Sequence, residues 1–92
     1  MGKFIVLYEK QARQDLKEHK FSGNASNMKK IQKILSELEE HPYTGDGQPE
    51  ALKYDLTGFW SRRINKKDRI VYKVEEEIVT VLVVSAMGHY EK

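Results

Sequence analysis

Apolar residues recur along this chain with two different periods, and the change between them divides it in two. The run at 4–7, Phe-Ile-Val-Leu, is short, branched and aromatic, which predicts a buried strand. From about 9 to 20 the chain is polar apart from Ala12 and Leu16, four residues apart, a spacing that predicts a short amphipathic helix. Phe21-Ser22-Gly23-Asn24 breaks it. Met28, Ile31, Ile34, Leu35 and Leu38 then fall on one stripe, with lysines and glutamates opposite, and predict a second helix. His41-Pro42 ends that helix, because the residue before a proline is pushed out of the helical region.

After the loop Gly45-Asp46-Gly47-Gln48-Pro49 the period becomes that of strands. Leu52 and Tyr54 fall on one side of a short strand, with Ala51 and Lys53 on the other. Asp55-Leu56-Thr57-Gly58 is a turn. Segments 59–64 and 69–74 predict two strands joined by the polar turn Asn65-Lys66-Lys67-Asp68. In the second of them Ile70, Tyr72 and Val74 face one way, and Arg69, Val71 and Lys73 the other. Segment 78–84 is almost continuously apolar, as in a central strand covered on both faces. Short turns require antiparallel neighbours. The predicted fold is therefore α+β, a twisted antiparallel β-sheet with a two-helix layer packed on one face. The opposite face then carries Lys53, Arg69, Lys73 and one of the Arg62/Arg63 pair, a natural seat for a phosphate backbone.

Composition narrows the class. Ninety-two residues suffice for one domain with one modest core, spanning 1–92, and 39% hydrophobic against 33% charged residues leaves little apolar surplus. No apolar run approaches a membrane span, and the first residues lack the features of a signal peptide. With no cysteine, disulfides and thiolate metal sites are excluded. These absences predict a cytoplasmic protein. Sixteen basic and 14 acidic residues give a net charge of only +2, a weak pointer to nucleic acid. The basic residues are unevenly placed, however, since 60–69 is rich in Arg and Lys while 37–40 and 75–77 carry much of the acid. No glycine-rich phosphate loop is present, because Gly45-Asp46-Gly47 precedes a strand and lacks the following Lys-Ser/Thr. His19, His41 and His89 have no metal-ligand spacing, and neither a metal nor a cofactor is expected.

Pro49-Glu50-Ala51-Leu52-Lys53, Phe59-Trp60-Ser61-Arg62-Arg63-Ile64, Asp68-Arg69-Ile70-Val71-Tyr72 and His89-Tyr90 follow one another in that order. Together they closely resemble the signature of the YoeB branch of the RelE-like toxins, over well more than half the chain. The resemblance implies a two-helix layer over a twisted antiparallel sheet, as in small microbial ribonucleases. It also implies metal-independent cleavage of messenger RNA in the A site of the 70S ribosome. By position, it makes Glu50 the general base and His89 the general acid. Arg69 becomes the arginine on the scissile phosphate, and Tyr90 the tyrosine that organises the site or stacks on substrate. Lys53 and Arg63 become nearby basic helpers, and Arg62 and Lys73, from the basic residues of the sheet, are expected to bind RNA beside them. A cognate YefM-type antitoxin is implied as partner, its flexible acidic segment folding onto the basic face, and so is a toxin homodimer. Glu91 and Lys92 follow a His-Tyr pair that often closes chains of this family, which bears on any role of the terminal carboxylate.

The residue types suit this chemistry on their own account. RNA carries its nucleophile, the ribose 2′-OH. A base must take that proton, an acid must protonate the departing 5′-oxygen, and fixed cations must stabilise the phosphorane between them. The product is a 2′,3′-cyclic phosphate. The cations also work against a protonated His89, whose reference pKa is about 6.5, so the acid is expected to become competent with RNA bound.

Taken singly, each residue has a plainer reading. Glu50 is then a surface carboxylate, His89 a tail residue, Arg69 a cross-strand partner of Glu75 or Glu77, and Phe59 and Trp60 sheet packing. Two rival functions follow. One is a non-catalytic ParE-like toxin; the other is a nucleic-acid or ribosome-binding module, with salt-sensitive binding and no strand scission.

Overall fold

The structure, a computed structural model, describes residues 3–88. Seven main elements follow one another: β1 (Ile5–Tyr8), α1 (Lys10–Ser22), α2 (Ala25–Leu38), β2 (Glu50–Ala51), β3 (Phe59–Arg63), β4 (Arg69–Glu75) and β5 (Thr80–Ser85). The strands form one sheet in the order β1-β5-β4-β3-β2. Among the described residues no helix is long and apolar enough to cross a membrane.

The helix pair forms where the stripes predicted it. α1 stops at Gly23, whose φ of 76° is left-handed and lets its N–H turn back to Lys20 O. Asn24 then starts α2, its side-chain oxygen accepting from the N–H of Asn27 at 2.9 Å. Ile31, Ile34 and Leu38 of α2 and Ala12 of α1 are buried against Ile70, Tyr72, Val81 and Val83 of the sheet. Val6, Leu16, Met28, Leu35, Trp60 and Val74 close the edges of this core.

Four details depart from expectation. β1 runs parallel to β5, Ile5 opposite Thr80 and Leu7 opposite Leu82, whereas an antiparallel sheet was predicted throughout. The two helices between β1 and the other strands are a long connection, which frees β1 from the antiparallel rule of short turns. β1 is also an edge strand with one covered face. Ile5 and Leu7 are 62% and 51% exposed, so the run 4–7 is only half-buried. The predicted 51–54 strand shrinks to Glu50–Ala51; Tyr54 takes a φ of 61° and opens a 3-10 turn, Tyr54–Leu56. β5 begins at Thr80, because Glu76–Ile78 form another 3-10 turn and Val79 takes a left-handed φ of 49°.

The loop between α2 and β2 hangs on one side chain. Arg62 is fully buried on the helix-facing side of β3. Its Nε donates to Tyr72 Oη, its Nη1 to Glu37 Oε1 at 2.8 Å and to Asp46 O, and its Nη2 to His41 O and Thr44 O, both at 2.7 Å. Tyr72 Oη donates in turn to Pro42 O at 2.6 Å. All five guanidinium N–H groups thus find acceptors, which is what makes a buried charge tolerable. Gly47 closes the loop with its carbonyl on the N–H of Arg63 at 2.7 Å. Its φ is 86°, and a Cβ there would meet Arg63 O at 2.9 Å, so glycine is required twice over.

Candidate functional site

The loop fixed by Arg62 leads directly into Glu50, which pairs with Ser61 at the edge of the sheet. Ser61 is opposite Val71, and Val71 opposite Ser85, so one row of side chains runs across β2, β3, β4 and β5 on the face away from the helices. In the adjoining row Arg63 lies directly opposite Arg69. Like charges in register are unfavourable on their own. Glu50 offsets them: its Oε1 lies 3.6 Å from Arg69 Nη1, the two side chains being 63% and 25% exposed. A carboxylate and two guanidinium groups thus share one accessible patch, with the buried Ser61 in the row of Glu50. Ser61 Oγ has no hydrogen-bond partner among the described residues.

Lys73 is on the same face, opposite Phe59, with its ammonium 5.6 Å from that ring and 3.2 Å from Glu75. Lys53 is exposed in the segment just after β2. Arg63, Arg69 and Lys73 therefore share the face that alternation predicted, and Glu50 joins them from the sheet edge, whereas Lys53, expected there too, lies beyond the end of β2. Arg62 does not. It points the other way and spends every donor inside the protein, so the expectation of an RNA contact is corrected to a structural role. Trp60 is likewise a packing residue, its ring 5.0 Å from Tyr43. His89 and Tyr90 lie outside the described residues.

The chain nevertheless reaches residue 88 at an informative place. A Cβ on Gly88 would stand 3.1 Å from Lys67 O and 3.9 Å from Asp68 Oδ1, so Gly88 lies against the turn that leads into Arg69. Asp68 is buried and held by that turn, its Oδ2 accepting from Asn65 Nδ2 at 3.2 Å. Its Oδ1 is buried with no hydrogen-bond partner among the described residues.

Two further residues escaped the sequence reading. Asp15 and His19 of α1 are buried, 2% and 3% exposed, and grip both backbone polar groups of one residue, Ala86. Asp15 Oδ2 accepts from Ala86 N at 2.9 Å, and His19 Nε2 donates to Ala86 O at 2.7 Å. The signal was present: both residues fall on the stripe marked by Ala12, at positions where an apolar side chain belongs.

Around the loop, electrostatics favours the observed contacts. Burial pushes the Tyr72 phenol above its ordinary 10.0, with Arg62 opposing. The hydrogen bond to Glu76 raises Tyr43 to about 12. A hydrogen bond from Lys30 is the chief cause that holds Asp46 below the usual carboxylate range.

Comparison with known proteins agrees in sequence and in fold. The family described as the YoeB-like toxin of bacterial type II toxin–antitoxin systems matches residues 8–90. Toxin YoeB of Escherichia coli O6:H1 (strain CFT073) is 41% identical over 63 residues, 68% of this chain and 73% of that protein. The Staphylococcus aureus YoeB dimer superposes with a TM-score of 0.79 at 32% identity, covering 96% of this chain and 99% of that one. The YoeB–YefM complex of the same organism gives 0.78 at 34% identity, over 95% and 98%.

Proposed function

The chain belongs to the YoeB family of type II toxin–antitoxin toxins, and from that membership we propose that it is a metal-independent endoribonuclease that cuts ribosome-bound messenger RNA in the A site and so stops translation. The observation that carries the proposal is the patch in which Glu50 lies 3.6 Å from Arg69, itself opposite Arg63, on the accessible face of the sheet.

In this reading a phosphodiester enters between Arg69 and Arg63, which bind its non-bridging oxygens. Arg69 turns from the carboxylate to the phosphate, leaving Glu50 free to take the 2′-OH proton. The 2′-oxygen attacks phosphorus, the bond to the 5′-oxygen breaks, and His89 donates the proton that this oxygen needs. The products are a 2′,3′-cyclic phosphate and a 5′-hydroxyl. Both arginines stabilise the charge that builds up on the phosphorane. Lys53 and Lys73 extend the cationic track for the flanking backbone, and Tyr90 organises or stacks on the substrate. The setting is the cytoplasm, where the ribosome is. A YefM-type antitoxin and a second copy of the toxin are the protein partners, supported by the Staphylococcus aureus complex and dimer.

In-vitro translation of a defined messenger RNA, with primer extension to map cuts, tests this. Wild type is expected to cut at the A site, and Glu50→Ala and His89→Ala to lose about 10²–10⁴-fold in rate, the usual contribution of acid–base groups. Translation arrest without a cut would instead indicate a ribosome-binding module, and no effect on translation would point to a ParE-like toxin.

A further inference from the structure

We infer that Asp15 and His19 are positioning residues for cleavage, a buried two-point grip on the backbone of Ala86 that sets how the chain leaves β5 toward His89. The inference rests on the reading of His89 as the general acid.

The grip takes both backbone polar groups of one residue, which belong to the two successive peptide units on either side of its Cα. Asp15 Oδ2 accepts the Ala86 N–H, and His19 Nε2 gives its proton to the Ala86 carbonyl. A carbonyl only accepts, so Nε2 must carry a proton. Gln11 Nε2 donates to Asp15 Oδ1 at 2.9 Å and helps hold the carboxylate in place. These groups belong to α1, whereas Ala86 follows the last strand, 67 and 71 residues away in sequence.

Burial gives the arrangement its force. Asp15, His19 and Ala86 are at most 3% exposed, so an unmade bond there leaves a desolvated polar group. Position 86 is therefore fixed to two atoms of a rigid helix. Residue 89 is three residues on, within about 11 Å by chain length alone. Gly88, against Lys67 O, fixes the path a second time. General acid catalysis needs its donor within hydrogen-bond reach of the leaving oxygen, so loosening this anchor slows the step without touching RNA.

The test compares His19→Asn, His19→Gln, Asp15→Ala and His89→Ala on programmed ribosomes. The glutamine amide nitrogen can occupy the place of Nε2, whereas that of asparagine falls short of it. Each variant is assayed on a normal messenger and on one whose scissile 5′-oxygen is replaced by sulfur, a leaving group that departs without a proton. His19→Asn and Asp15→Ala are expected to lower kcat about tenfold or more on oxygen with KM unchanged, and to regain wild-type rate on sulfur, as His89→Ala does. His19→Gln restores the oxygen rate. Because Asp15→Ala frees the N–H side of Ala86 and the His19 variants its carbonyl side, the result does not hang on the folding of one variant. Equal slowing on both messengers, or no slowing, overturns the inference. Full activity of His89→Ala on oxygen overturns the underlying reading instead.

Discussion

Arg62→Ala deletes five buried donors at once and leaves their acceptors behind. Bonds from a charged donor contribute about 1.5–3 kcal/mol each, but a simple sum overstates the loss. Glu37 is 19% exposed and can recover some hydration, and His41 and Thr44 lie in an accessible part of the loop. Removing one partner of a buried ion pair costs about 3–5 kcal/mol, and that range is expected here. A 92-residue domain holds roughly 5–14 kcal/mol in all, so the loss takes a large share of it. The midpoint of thermal unfolding falls by at least about 12 °C, taking 4 °C per kcal/mol as a lower bound. Arg62→Lys keeps the charge beside Glu37 but not the planar fork, and lies between mutant and wild type. Arg63→Ala, one residue on and exposed, stays within about 0.5 kcal/mol of wild type and loses RNA cleavage instead. Urea titrations followed by circular dichroism, run beside the cleavage assay, separate the two arginines. A wild-type urea midpoint for Arg62→Ala, or equal destabilisation by both substitutions, refutes the reasoning.

Tyr8, Tyr43 and Tyr72 are all held above 10.0 in the fold, so the stability they contribute is complete below that pH and is lost as pH rises. Urea midpoints are expected to fall above pH 10, the Tyr43 contribution disappearing near 12 and being absent in Tyr43→Phe. Asp46, held below 3.8 chiefly by the Lys30 hydrogen bond, contributes stability above 3.8 that is lost as pH falls through its folded value. Asp46→Asn should flatten that acid limb in the same titration. Asn24→Ala removes the cap of α2 and should cost about 1 kcal/mol, measured by denaturant unfolding, with cleavage per folded molecule unchanged.

The helices were legible because their apolar stripes have a single period, and β3 and β4 because alternation and a four-residue polar turn agree. Alternation also placed Arg69 and Lys73 on the accessible face. It gave only that Arg62 and Arg63 point in opposite directions. Which one is buried depends on acceptors in residues 41–46, and no local pattern carries that. The basic run 60–69 put Arg62 among the RNA contacts, yet its place there reflects loop anchoring. The parallel pairing of β1 was hidden because strand direction depends on the path of the intervening helices. Asp15 and His19 were passed over because a polar residue on an apolar stripe shows its purpose only once its distant partner is known.

The order of the strands also bears on when this protein can act during its own synthesis. Among the described residues β1 has β5 as its sole neighbour in the sheet, and β5 is the last strand to be made. Ile5 must wait for Thr80. Until then the sheet lacks the strand that joins β1 to β4, and Ala86, whose backbone α1 grips, has not been delivered. Contacts of such long sequence separation form late, after most of the chain is available. The toxin thus stays incomplete until β5 has emerged from the ribosome that is making it, and its first strand settles only after the last strand of the sheet.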